Sequence, residues 1–161
     1  MFLKSLDIYG FKSFAERTHI DCADGITALL GPNGCGKSNV VDAIKWVIAE
    51  NRAKNLRAEK MEDVIFNGTE NRAALNTAEV TLTLCNENGL LPLEDSEIAI
   101  KRRIYRSGDQ EYFINNRQVG PTEIRKLFMD TGVGKAAYSV MEQGKIDQIL
   151  SSKPEDRRYH F

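Results

Sequence analysis

Ile26-Thr27-Ala28-Leu29-Leu30 runs into Gly31-Pro32-Asn33-Gly34-Cys35-Gly36-Lys37-Ser38, and Asn39-Val40-Val41-Asp42-Ala43-Ile44-Lys45-Trp46-Val47-Ile48 follows without a break. The first five residues form a compact apolar run bounded by Gly25 and Gly31, which fits a strand buried on both faces. After Gly36 the period changes. Val40, Val41, Ile44, Val47 and Ile48 make one apolar stripe, and this predicts a helix of about three turns. Between strand and helix, Gly31 to Ser38 satisfies G-x-x-x-x-G-K-[ST] at every fixed position. Chance gives such a match in roughly one chain of this length in a few hundred.

The chemistry explains the pattern. Gly31, Gly34 and Gly36 allow positive φ, so the backbone can curl its N–H groups around an anion. The helix that follows points its positive pole at the same place. Lys37 supplies a point charge to the β- and γ-phosphates of a nucleotide, and Ser38 offers a hydroxyl to Mg²⁺. Cys35 occupies a variable position of the loop and reads as a small space-filler. Its thiol sits at a helix N-terminus beside Lys37, a setting that lowers a thiol pKa.

Outside this unit the chain reads as α/β. Strands are expected over Leu3–Tyr9, Thr18–Cys22 and Ala78–Leu84, the last from its clean alternation. Glu97–Tyr105 and Glu111–Ile114, joined by Arg106-Ser107-Gly108-Asp109-Gln110, read as a hairpin. Pro121 opens a helix that ends near Asp130, where its missing N–H costs nothing. Tyr138–Met141 is short and apolar, and Lys145–Leu150 reads as a short helix. Residues 51–63 are polar and read as a surface loop. Trp46 lies on the first helix and reads as packing. Lys101-Arg102-Arg103, with Tyr105 and Arg106, fits either a solvated edge-strand face or a contact to DNA phosphates.

Composition sets bounds on partners. The 161 residues carry 22 Lys and Arg against 23 Asp and Glu, a net charge of −1, which excludes a strongly basic nucleic-acid module. No apolar run is long enough to span a bilayer, and the N-terminus lacks a signal-peptide layout. The three cysteines, Cys22, Cys35 and Cys85, are far apart, and His19 and His160 have no partners at ligand spacing. Neither a disulfide framework nor a zinc site is implied, and a reduced, cytoplasmic compartment is expected.

Longer stretches carry a resemblance. Leu6-Asp7-Ile8-Tyr9-Gly10-Phe11-Lys12-Ser13-Phe14, the Gly31–Asn39 loop, Asp42–Val47, Met61–Gly68 and Tyr138–Ile146 together resemble the N-terminal head of the structural maintenance of chromosomes (SMC) family. The likeness covers residues 1–158. It implies the N-terminal lobe of an ABC-type P-loop ATPase, with a mixed sheet, a P-loop helix and an antiparallel β subdomain. It implies ATP and Mg²⁺ as cofactors, with Pro32, Asn33, Gly34, Cys35, Gly36, Lys37, Ser38 and Asn39 at the nucleotide. Gln143 matches the Q-loop glutamine, so Lys37 and Gln143 are the implied catalytic groups and Ser38 and Gln143 the Mg²⁺ ligands. Arg57 sits where the family carries an arginine near the phosphates. Lys12 and Ser13 resemble a strand-end element that approaches the nucleotide, and Asp63, with Val64 and Ile65, the segment beside the adenine.

For the complete protein the resemblance implies chromosome condensation and segregation, in which head engagement and ATP hydrolysis act on DNA. Implied partners are a C-terminal head lobe, a second SMC head in a homodimer, and kleisin-type subunits, in the nucleoid and not at a membrane. The coiled coil, hinge and C-terminal lobe, with its Walker B carboxylates, are not found in these residues. Residues 159–161 are then an atypical tail. Two outcomes follow: an ATPase half-site, or a nucleotide-binding fragment with no turnover of its own. A small P-loop kinase is a third, lacking an evident acceptor site and lid.

Overall fold

The computed structural model describes residues 2–21, 35–48, 52–85 and 94–129. Among these residues six strands form one antiparallel sheet: β1 (Phe2–Tyr9), β2 (Thr18–Asp21), β3 (Thr77–Cys85), β4 (Glu97–Tyr105), β5 (Gln110–Ile114) and β6 (Arg117–Val119). Their order is β2-β1-β3-β4-β5-β6. Helix α1 spans Cys35–Val47 and helix α2 Pro121–Met129, and two 3-10 turns cover Ala53–Leu56 and Met61–Val64.

Alternation fixes which sheet face is buried. Leu6 and Ile8 on β1, Val80 and Leu82 on β3, and Ile98, Ile100 and Ile104 on β4 all lie on one face and are at most 2 % exposed. The stripe of α1, through Val40, Ala43, Ile44 and Val47, completes the same core. With so many β-branched residues α1 owes its stability to this docking more than to propensity. Phe11 joins it, its ring 5.3 Å from that of Trp46. The α/β reading therefore holds, and strands and hairpin start and stop within a residue or two of expectation. The strand expected over 26–30, which would make the sheet mixed, lies outside the described residues, as do the segments at 138–150.

Two expectations are corrected. Residues 51–63 are not simply a surface loop: they hold one 3-10 turn and most of a second, with Leu56 fully buried in the core. A single buried leucine in a polar stretch leaves no periodicity to read. Lys101-Arg102-Arg103 is not on an edge, since β4 lies between β3 and β5. Arg102 takes the inward position of the alternation and is 1 % exposed. Its Nη1 donates to the Trp46 carbonyl at 2.6 Å, and its Nε and Nη2 donate to Gln110 Oε1 at 2.9 and 2.5 Å. The Trp46 and Tyr112 rings lie 4.9 and 5.0 Å from the guanidinium carbon. The last carbonyls of a helix lack intrahelical donors and carry partial negative charge, so this arginine closes the carboxyl end of α1. β6 is short and follows Asn115-Asn116, both at positive φ (49° and 68°), the tight hairpin turn that asparagine tolerates.

Candidate functional site

The site is built around the second turn of α1. Asn39 and Asp42 are three residues apart, hence on one face of the helix, and Asp42 is only 4 % exposed. Two other segments converge on them.

The first is the turn after β1. Gly10 sits at φ 69°, and a Cβ there would lie 2.3 Å from the Thr77 carbonyl oxygen, so only glycine lets the chain reverse at that point. The reversal is locked by Gly10 N–H to Phe14 O at 2.6 Å. It is also zipped to the second 3-10 turn by Lys12 N–H to Val64 O (2.6 Å) and Phe66 N–H to Gly10 O (2.7 Å). Lys12 takes the tip in a left-handed conformation, φ 52°. Its Nζ reaches Asp42 Oδ2 at 2.6 Å and also donates to the Leu56 carbonyl. Next to it, Ser13 Oγ accepts from Asn39 Nδ2 at 2.7 Å.

The second segment is the first 3-10 turn. Arg57 ends it, again left-handed, with φ 58° and ψ 40°. Its Nε and Nη2 donate to Asp42 Oδ2 at 2.9 and 2.6 Å, and Nη2 also donates to Asn39 Oδ1 at 3.0 Å. Three cationic N–H groups thus meet one carboxylate oxygen. The Lys12 and Asp42 side chains are 13 % and 6 % exposed, whereas that of Arg57 is 56 % exposed. Among the described residues, two cations on one carboxylate leave a surplus positive charge, displayed on Arg57 beside the amino-terminal turns of α1.

The structure therefore brings together Lys12, Ser13, Asn39 and Arg57, which the sequence singled out separately. Asp42, their hub, was not singled out as a site residue; its signal was an acid three residues after Asn39 inside an apolar stripe. Asp63 stands apart. It is exposed, and its carboxylate accepts from Lys60 N–H at 3.0 Å, capping the second 3-10 turn. Its neighbours Val64 and Ile65 are core residues. Cys35, Gly36, Lys37 and Ser38 open α1 as helical backbone, and their side chains lie outside the described residues. So do Gly31, Pro32, Asn33, Gly34 and Gln143. Among the described residues there is no cluster of metal-binding side chains and no helix long and apolar enough to cross a membrane.

Comparisons with known proteins agree on one family. The model of the RecF/RecN/SMC N-terminal domain matches residues 2–143. The chromosome partition protein Smc of Bacillus subtilis is 55 % identical over 161 residues, all of this chain and 14 % of that protein. That of Myxococcus xanthus is 53 % identical over 163 residues, covering 99 % of this chain and again 14 % of the relative. Among solved structures, one from work on "ATP-driven dimerization and DNA stimulated activation of SMC ATPases" superposes with a TM-score of 0.80 at 33 % identity, covering 99 % of this chain and 96 % of that one. An Smc head bound to the C-terminal winged-helix domain of ScpA gives 0.74 at 32 % identity, covering 81 % and 40 %.

Proposed function

This chain belongs to the RecF/RecN/SMC N-terminal domain family, and we propose that it is the ATP-binding lobe of an SMC-type chromosome condensation and segregation ATPase. The observation that carries this reading is convergence. The phosphate-loop sequence Gly31–Ser38 enters α1, and Lys12, Ser13, Asn39 and Arg57 gather from three chain segments around the next turn. A polyanion fits such a place. The helix pole and a surplus, half-exposed guanidinium both favour negative charge, and an arginine spreads that charge over several phosphate oxygens.

The roles divide by chemistry. Lys37 and the loop amides hold the β- and γ-phosphates, and Arg57 adds a further donor. Ser38 and Gln143 would hold Mg²⁺, whose charge would offset that of the phosphates. Gln143 also orients water through its amide. The carboxylates that complete such a site are to come from a C-terminal lobe, since no apolar run followed by Asp-Glu occurs in these residues. Pairing with a second head, a kleisin-type subunit and DNA belongs to the complete protein, of which the matched relatives are about seven times longer than this chain.

The reading is tested with Lys37→Ala. The variant is expected to lose ATP–Mg²⁺ binding in isothermal titration while its thermal unfolding is unchanged. Unchanged affinity would reject the phosphate-loop assignment.

A further inference from the structure

We infer that Asp42 is the positioning residue for Arg57: it grips the guanidinium by its Nε and Nη2 donors and leaves Nη1 as the donor offered to a bound phosphate. The inference rests on the nucleotide-binding reading above and adds to it a residue that does not itself touch the nucleotide.

Several observations point the same way. Asp42 is a fixed anchor, because it sits in the second turn of α1, packed into the core beside Val41 and Ala43, and is nearly inaccessible. Its charge is already matched by Lys12, the better buried of its two partners. Arg57 is thus not needed to neutralise a buried anion. What the carboxylate supplies to Arg57 is direction. The grip is two-pronged, with Asn39 Oδ1 holding the second hydrogen of Nη2. Among the described residues nothing accepts from Nη1. The backbone agrees: Arg57 is held left-handed at φ 58°, a conformation that non-glycine residues keep only where the surroundings over-determine it. An arginine whose rotamers are settled before binding loses less entropy when it meets its anion.

A competing scheme has Asp42 merely parking Arg57 and surrendering it when phosphate arrives. The two differ in sign. If Asp42 positions, removing its charge weakens nucleotide binding; if it parks, removing its charge strengthens it.

The test uses the 161-residue chain and a fluorescent methylanthraniloyl-ATP with Mg²⁺, read by anisotropy. Asp42→Asn keeps the shape and one acceptor but removes the charge. Asp42→Asn and Arg57→Ala are each expected to weaken binding on the order of fivefold, and the double variant to bind no more weakly than Arg57→Ala alone. Additive losses would show that Asp42 acts through the fold and not through Arg57, and tighter binding by Asp42→Asn would establish parking; either overturns the inference. Should Asp42→Asn fail to unfold cooperatively, the wild-type protein still decides. The Arg57 Nε–H resonance, protected by Asp42, is expected in the ¹⁵N spectrum of the free chain and after Mg²⁺–ATP is added. Its loss on binding overturns the inference. The underlying reading fails separately, if Lys37→Ala binds as well as wild type. Loss of binding in Lys37→Ala, with Asp42→Asn and Arg57→Ala both indistinguishable from wild type, sinks this inference alone.

Discussion

Arg102 and Arg57 show how one side-chain chemistry serves two ends once burial differs. Arg57 is half-exposed and keeps donors to spare, so its charge faces outward. Arg102 is buried between Trp46 and Tyr112 and its fork is spent on the Trp46 carbonyl and Gln110. A flexible ammonium cannot reproduce that planar fork. Arg102→Met, of similar length but without donors, would leave the buried Trp46 carbonyl without this donor, while the half-buried Gln110 Oε1 keeps the Tyr112 hydroxyl. An unsatisfied buried acceptor costs about 1–3 kcal/mol, so Arg102→Met is expected to lose roughly 1–3 kcal/mol in urea unfolding. A loss under about 1 kcal/mol would mean that stacking of an apolar chain between the two rings suffices.

Among elements, the outward face of the sheet carries a row of cross-strand pairs, Glu79 on β3, Arg103 on β4 and Glu111 on β5, in direct register. Arg103 lies 3.2 Å from Glu79 and 3.3 Å from Glu111, and the Tyr105 hydroxyl donates to Glu111 at 2.6 Å. The Tyr105 hydroxyl, with help from Arg103, holds the Glu111 carboxyl below its usual value near 4.5. A carboxyl depressed in the folded state binds fewer protons there than in the unfolded chain. Its stabilisation is therefore complete above the usual value and is lost as pH falls through the folded one. Thermal unfolding should drop as pH falls below about 4.5, and Tyr105→Phe should flatten that part of the profile; an unaltered slope counts against the hydroxyl as the cause. The elements themselves were legible wherever local period dominates, as in α1, β3 and the β4–β5 hairpin. The two 3-10 turns were not, because bonds to Gly10 and Lys12, some fifty residues earlier, hold the second of them. Nor was the inward place of Arg102, since a basic triplet reads as a surface until a helix end is known to lie beneath it. At the site, the loop and Lys12, Ser13, Asn39 and Arg57 were each readable from motif likeness, whereas Asp42 emerged only when three segments met in space.

For the whole molecule the governing question is how much of an ATPase this lobe is. The proposed half-site holds a phosphate loop with Lys37, the Mg²⁺ ligands Ser38 and Gln143, and a positioned Arg57. Among the described residues no carboxylate is placed to polarise water. Asp42 is no substitute, because it is 4 % exposed and its Oδ2 already accepts from Lys12 and Arg57. Each lost preorganised contact to the transition state costs on the order of 10²–10³ in rate, and groups that act as a unit are lost together and not additively. Residues 1–161 are therefore expected to bind ATP weakly and to hydrolyse it at or near background. Adding the C-terminal lobe of a complete relative as a separate chain should restore turnover, and Gln143→Ala should remove it again while leaving association of the two lobes intact. Phosphate release measured with and without that lobe decides the matter. Robust turnover by residues 1–161 alone would overturn the half-site reading, and would direct the search for a general base to Glu50, Asp63 and Glu142.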